Sequence, residues 1–200
     1  MRPPLLVKLL LNQLVWQMPV NDKNVYLTFD DGPIPEVTPW VLDQLRRYNA
    51  KATFFCVGDN VKKHPEVYTQ ILKEGHRTGN HTMNHINGWT NFNRDYFRNI
   101  EECSRYVKSD LFRPPYGKIR PTQIRKIGKE YKIIMWDVLT HDYDPKESGE
   151  DCFRRVRKNV RPGSVIVFHD SLKAEKNLRY ALPATLELLS KENYRFLSIQ

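Results

Sequence analysis

Apolar positions along the chain fall into two alternating rhythms, one of period two and one of helical period. Val25, Leu27 and Phe29 alternate with Tyr26, Thr28 and Asp30, which predicts a strand. Thr38-Pro39 then opens a helix in an N-cap/N1 pattern, with Val41, Leu42, Leu45 and Tyr48 on one stripe. Residues 52–57 (ATFFCV) predict a second strand, 65–74 a helix closed by Gly75, and 76–82 a third strand. Asn93 caps a predicted helix through 107, along which Tyr96, Ile100, Cys103 and Val107 align. A short strand over 111–113 is stopped by Pro114-Pro115, and a helix follows over 121–128. Residues 131–139 (YKIIMWDVL) and 164–169 (SVIVFH) are strands of the fully buried type. Helices over 150–160 and 177–190 and a last strand over 194–199 complete the chain.

Seven strands, each but the last followed by a helix or helix-like crossover, predict an α/β protein with parallel strands. The polar residues then favour a barrel over an open sheet. Asp30, Asp31, His81, Arg113, Asp137 and His169 fall at or near the C-terminal ends of different predicted strands. A barrel gathers such residues around one rim, whereas an open sheet gathers them at a switch point. The expectation is a distorted, TIM-like barrel of seven to eight β/α units, forming one domain over residues 1–200.

The N-terminal stretch carries Leu5, Leu6, Val7, Leu9, Leu10, Leu11, Leu14, Val15 and Trp16. It is too short to span a bilayer as a helix. Lys8, Asn12 and Gln13 interrupt it, only Arg2 precedes it, and no A-x-A site follows. Two readings stand: a helix packed on the domain, or an uncleaved export or membrane-surface segment. The packing helix is preferred to membrane association, and a cytoplasmic location to the cell envelope.

With 40% apolar and 28% charged residues the chain can build a packed core, which excludes wholesale disorder. The net charge of +9 favours anionic partners. Its basic residues are dispersed and no nucleic-acid recognition motif appears, so a nucleic-acid-binding module is not expected. Cys56, Cys103 and Cys152 form no CxxC pair, which rules out a disulfide framework and a cysteine-rich zinc site. Cys56 sits among apolar neighbours like a core residue.

Four segments carry candidate chemistry. Asp30-Asp31-Gly32-Pro33 ends the first strand, where a Gly-Pro turn lets two adjacent carboxylates converge on one site. An Asx-type turn would explain one of those aspartates well and both poorly. His81 and His85 stand at i and i+4, a spacing that a helix or tight turn brings onto one face. They are either surface histidines or two metal ligands, and an aspartate from the first strand end would complete a His/His/Asp set. The Glu of a zincin motif is missing. Arg113, restricted by the following proline, is available for bidentate pairing with a carboxylate or is a plain loop arginine. His169 ends a strand of Val, Ile, Val and Phe, where either a catalytic acid or a structural histidine would sit.

Together these segments resemble the polysaccharide deacetylase family, carbohydrate esterase family 4, which includes chitin and peptidoglycan deacetylases. The resemblance runs over about residues 24–199 and rests on TFDDGP (28–33), HTMNH (81–85), RPPYG (113–117), WDVLTHDYD (136–144) and VFHD (167–170), in the family's order. It implies that Asp31, His81 and His85 hold a divalent metal, most often zinc, sometimes cobalt or another ion. It implies Asp30 as general base, oriented by Arg113, and His169 as general acid, kept protonated by Asp142. The backbone N–H of Tyr116 would help bind the oxyanion. The implied activity is hydrolysis of acetyl groups from N-acetylated sugars of a polysaccharide or oligosaccharide, peptidoglycan- or chitin-like. An O-acetyl esterase is the alternative, and retention of Asp30 and His169 argues against a metal-binding pseudoenzyme. Leu139 stands where the family usually carries an aspartate, Tyr143 replaces a tryptophan, and Val167 replaces a leucine of the acetyl-methyl pocket. These changes bear on the groove wall. Tyr116, Trp89 and Tyr143 are candidates for stacking on sugar rings, or else ordinary packing aromatics.

Overall fold

The computed structural model describes residues 4–20 and 22–200. Eight short strands, all parallel, curl into an incompletely closed barrel, as the alternation of strands and helices predicts. Strand β1 (Asn24–Asp30) is the centre. It pairs with β2 (Ala52–Cys56) on one side and with β7 (Val165–His169) on the other. Beyond β2 lie β3 (Arg77–Asn80), β4 (Leu111–Phe112) and β5 (Lys132–Ile133), and beyond β7 lies β6 (Val138–Leu139). Strand β8 (Arg195–Phe196) pairs with Asn24 and Val25, below the point where β2 begins its pairing at Leu27.

The strand expected over 131–139 is two strands, β5 and β6, and the reason is barrel closure. The three residues between Ile134 and Val138 leave one neighbour and join another. Ile134 N–H still bonds the Phe112 carbonyl, Met135 N–H bonds Val15, and Asp137 N–H bonds Val165. The N-terminal segment fills the remaining gap, with Val15 bridging to Ile134 and Gln17 to Ser164.

Helix α1 (Leu5–Leu10) leads into that segment. Val7, Leu11, Leu14 and Trp16 pack against Phe112, Ile133 and Met135, while Leu6 and Leu9 stay exposed. The expected packing helix is therefore present. No helix among the described residues is long and apolar enough to cross a membrane.

The helices are α2 (Thr38–Arg47), α3 (Gly58–Lys63), α4 (Pro65–Lys73), α5 (Asn93–Cys103), α6 (Pro121–Ile127), α7 (Gly149–Asn159) and α8 (Glu175–Lys191). Two expected N-caps do other work. Thr38 is already helical, and its hydroxyl accepts from Ile34 N–H at 2.8 Å and donates to Asp170 at 2.6 Å. Asn93 likewise lies inside α5 and accepts from Gln123 Nε2 at 3.0 Å.

Both faces of β1 are buried, and the two faces have different jobs. Val25, Leu27 and Phe29 of β1 face the helices and join the largest apolar cluster with Val41, Leu42, Leu178 and Leu182. Tyr26, Thr28 and Asp30 face the barrel interior. Tyr26, Phe55, Leu111, Ile134, Val165 and Ile199 make an apolar floor. Thr28 meets the wholly buried Arg113 above it, and Asp30 reaches the mouth. The three cysteines are free and buried.

Candidate active site

At the mouth a cavity of about 540 Å³, within the range of small-molecule sites, is lined by residues from five strand ends. Asp30, Asp31, His81, His85, Pro114, Tyr116, Gly117, Lys118, Trp136, Leu139, Tyr143, Val167, His169 and Lys173 form its walls. Of the polar strand-end residues, only Asp137 is misplaced. It precedes β6 and lies at the opposite end of the barrel, where Ser164 Oγ donates to it at 2.9 Å and Arg161 approaches to 3.2 Å.

Arg113 anchors the first aspartate. Its Nη1 donates to Asp30 Oδ1 at 2.6 Å and to Thr28 Oγ1 at 2.8 Å, and Nε and Nη2 donate to the carbonyls of Ile134 and Met135. The Phe55 ring lies 4.1 Å from the guanidinium. The fork therefore shares its donors among four acceptors instead of gripping Asp30 bidentately. A charge fully withdrawn from water needs such complete satisfaction.

Asp31, His81 and His85 present ligand atoms within 4.8 Å of one another. No helix aligns the two histidines. A loop does so, with Thr82 and His85 at φ of 63° and 53°. His81 Nδ1 lies 2.8 Å from the Arg113 carbonyl. A carbonyl only accepts, so the proton is on Nδ1 and the Nε2 lone pair faces the cavity. Burial pushes the His81 pKa down to about 4, which keeps that ring neutral. His85 Nε2 is 3.2 Å from Asp31 Oδ1, and its Nδ1 is 3.1 Å from the Tyr116 hydroxyl. Asp31 Oδ1 is itself buried without a hydrogen-bond partner. Burial raises the Asp31 carboxyl, but His85 beside it and the charge of His169 outweigh it and hold the group well below the usual carboxylate range. An orphaned anionic oxygen grouped with two imidazoles, one of which turns its lone pair to the cavity, fits a divalent cation.

On the opposite wall, His169 stands in register beside Asp30 across the β1/β7 ladder. Asp142, wholly buried, accepts from His169 Nδ1 at 2.7 Å and from its backbone N–H at 2.8 Å. Burial lowers the His169 pKa, yet Asp142 overrides it and raises the value to about 9. Asn177 of α8 donates to the Asp142 carbonyl at 3.0 Å and holds that loop in place.

Tyr116 sits at φ 60° in a 3-10 turn, Pro115–Gly117. The turn's bonds run from Gly117 to Pro114 and from Lys118 to Pro115, so the Tyr116 N–H takes no part in it. Leu139, Tyr143 and Val167, the three departures from the family pattern, all line the cavity wall.

Two contributions escape a reading of the sequence. One is the Tyr116 hydroxyl on His85. The other is Asp170, wholly buried, which accepts from Gly32 N–H at 3.1 Å and from Thr38, and whose own N–H bonds the Asp30 carbonyl. It ties down the turn that carries both aspartates. Only glycine fits at position 32, because a Cβ there would lie 2.0 Å from Asp170 Oδ2. Burial lifts the Asp170 pKa to about 8. Its place at the end of the VFHD segment is the available signal.

A family model described as polysaccharide deacetylase matches residues 17–136. A peptidoglycan-N-acetylglucosamine deacetylase of Bacillus cereus is 37% identical over 194 residues, covering 93% of this chain and 91% of the relative. A chitooligosaccharide deacetylase of Azorhizobium caulinodans is 33% identical over 159 residues, 75% of each chain. Among solved structures, a peptidoglycan N-acetylglucosamine deacetylase in complex with 4-naphthalen-1-yl-N-oxidanyl-benzamide has a TM-score of 0.89 at 32% identity. That likeness covers 98% of this chain and 95% of the other.

Proposed function

Because the chain belongs to the polysaccharide deacetylase family, we propose that it hydrolyses the acetamido group of N-acetylglucosamine units in a peptidoglycan- or chitin-like glycan, releasing acetate. The relatives named for peptidoglycan and chitooligosaccharide deacetylation support that substrate class. The observation that carries the reading is the pairing of Asp30 and His169 side by side in the barrel mouth, one held by a guanidinium and the other by a carboxylate.

Amide hydrolysis needs a proton removed from water and a proton delivered to the departing nitrogen. Asp30 is the acceptor, its carboxylate aimed by Arg113. His169 is the donor, and Asp142 keeps it protonated at neutral pH. Adjacent groups in opposite protonation states are what general acid–base chemistry requires. The Tyr116 N–H serves the developing oxyanion as a backbone donor. Val167 and Leu139 supply apolar wall for the acetyl methyl group.

Asp31, His81 and His85 would hold a divalent ion, zinc or a similar metal. When bound, such an ion acts as a Lewis acid toward water and the substrate carbonyl. None of the three buried cysteines lines the cavity, so no cysteine nucleophile is called for.

The test is acetate release from N-acetylglucosamine oligomers, peptidoglycan and O-acetylated sugars, with and without chelator and added zinc. Chelator-sensitive release from the N-acetylated substrates is expected. Release from O-acetyl sugars alone would overturn the proposed linkage.

A further inference from the structure

Trp89 lies in the loop between β3 and α5 and keeps 56% of its surface exposed. An exposed tryptophan is usually free to reorient, but this one is fastened. Its amide N–H donates to Asn87 Oδ1 at 2.8 Å, its indole N–H donates to the Ile119 carbonyl at 3.1 Å, and its carbonyl accepts from Arg120. The loop beneath is locked as well. The wholly buried Gln123 donates to the Gly88 carbonyl at 2.9 Å, and a Cβ on Gly88 would come within 2.5 Å of the Lys118 carbonyl. Lys118 places its ammonium 5.4 Å from the Trp89 ring centre and also lines the catalytic cavity. The ring therefore adjoins the cavity at its Lys118 edge.

We propose that Trp89 is a second sugar-binding surface, a rigid shelf on which the sugar ring next to the acetylated one stacks, with Lys118 meeting a polar or anionic substituent of that ring. The proposal rests on the glycan hydrolase reading above. A pyranose ring offers an apolar C–H face bordered by hydroxyls, which matches a flat aromatic bordered by Lys118 and Arg120. Because the indole is already fixed by its hydrogen bonds, stacking on it orders no further side chain. A polymer that enters the cavity must also leave it, and this edge supplies a surface of suitable chemistry.

The experiment compares wild type, Trp89→Ala, Trp89→Leu and Trp89→Tyr on N-acetylglucosamine oligomers of two to six sugars. It reads kcat and KM for acetate release and, separately, oligomer binding by calorimetry. The expected result is that Trp89→Ala and Trp89→Leu lose about three- to tenfold more kcat/KM on the hexamer than on the dimer, chiefly through KM. That range corresponds to the contribution of an aromatic contact. Trp89→Tyr, which keeps a flat face, should restore most of it. Equal losses at every length, or none, would overturn the proposal and leave Trp89 as a brace for its loop. If the wild type released no acetate from any oligomer, the hydrolase reading would fail. Calorimetry would then decide the shelf alone, through hexamer affinity that is either weakened in Trp89→Ala or the same in both proteins.

Discussion

Two of the three histidines that line the cavity are pushed by their surroundings to opposite states. His81, on the β3 side, points Nδ1 at a neutral carbonyl and is driven by burial to a pKa of about 4. His169, on the β7 side, is also buried, but its Nδ1 meets a carboxylate and its pKa rises to about 9. Burial acts the same way on both rings. The partner's charge decides the outcome, so one side chain type supplies a lone pair on one wall and a proton on the other.

The largest effects should come from removing either wall outright. His81→Ala is expected to abolish stoichiometric zinc uptake and, with it, activity. Asp30→Asn is expected to retain zinc while losing about 10²–10⁴-fold in kcat, the usual weight of a general base. Elemental analysis beside turnover separates the two. A zinc-loaded Asp30→Asn protein that loses less than about tenfold would show that another group takes the proton.

Asp142→Asn should erase the contrast itself, because it turns the partner of His169 from a charge into a dipole. The alkaline limb of kcat against pH should then fall from near 9 toward the ordinary histidine value of 6.5. The stability sign follows from the same shift. The folded pKa lies above the unfolded one, so the pair's contribution is complete below about 6.5 and is lost as pH rises through about 9. Melting temperatures of wild type and Asp142→Asn should therefore differ most at low pH and converge above 9. An alkaline limb that stays put at constant metal occupancy would leave Asp142 a structural role only.

Much of this arrangement is legible along the chain, and the failures share a cause. The alternation in β1 foretells a strand, and the histidine spacing, the Asp-Asp-Gly-Pro turn and the Arg-Pro-Pro-Tyr-Gly segment mark residues that the fold gathers at the barrel mouth. What stays hidden depends on partners far away in sequence. The apolar run over 131–139 splits because its middle pairs with Val15 and Val165, which local periodicity does not encode. Helix α3 carries a single buried large apolar side chain, Val61, and so shows no stripe. Thr38 and Asn93 look like caps, but Asp170 and Gln123 claim their side chains. Asp137 ends up at the wrong end of the barrel because it leads into β6 instead of ending β5.

Asp170 gives a prediction of intermediate size. Its carboxylate bonds Gly32 and Thr38 and none of the three cavity histidines, but it holds the turn that aims Asp30 and Asp31. Asp170→Ala should cost about 10–100-fold in zinc affinity or turnover, as loss of a supporting partner does at metal sites. Asp170→Asn keeps the acceptor for Gly32 N–H and should retain most of it. Zinc titration of both variants, alongside their melting temperatures, tests whether the loss follows the turn or the whole fold.

The smallest expected effect sharpens the comparison on the β3 side, where the Tyr116 hydroxyl approaches His85. Tyr116→Phe removes only the hydroxyl 3.1 Å from His85 Nδ1 and leaves the backbone as it is. His85 is about a quarter exposed, with a side-chain accessibility of 28%, so water can replace the lost partner. A neutral hydrogen bond of this kind contributes about 0.5–1.5 kcal/mol, which corresponds to roughly two- to twelvefold in zinc affinity. Turnover at saturating zinc should fall less than affinity does if, as proposed, the amide and not the hydroxyl is the oxyanion donor. Zinc titration followed by kcat at full loading reads the two separately. A larger drop in kcat than in affinity would mean that the hydroxyl contacts the reacting group and that His85 is oriented by its loop alone.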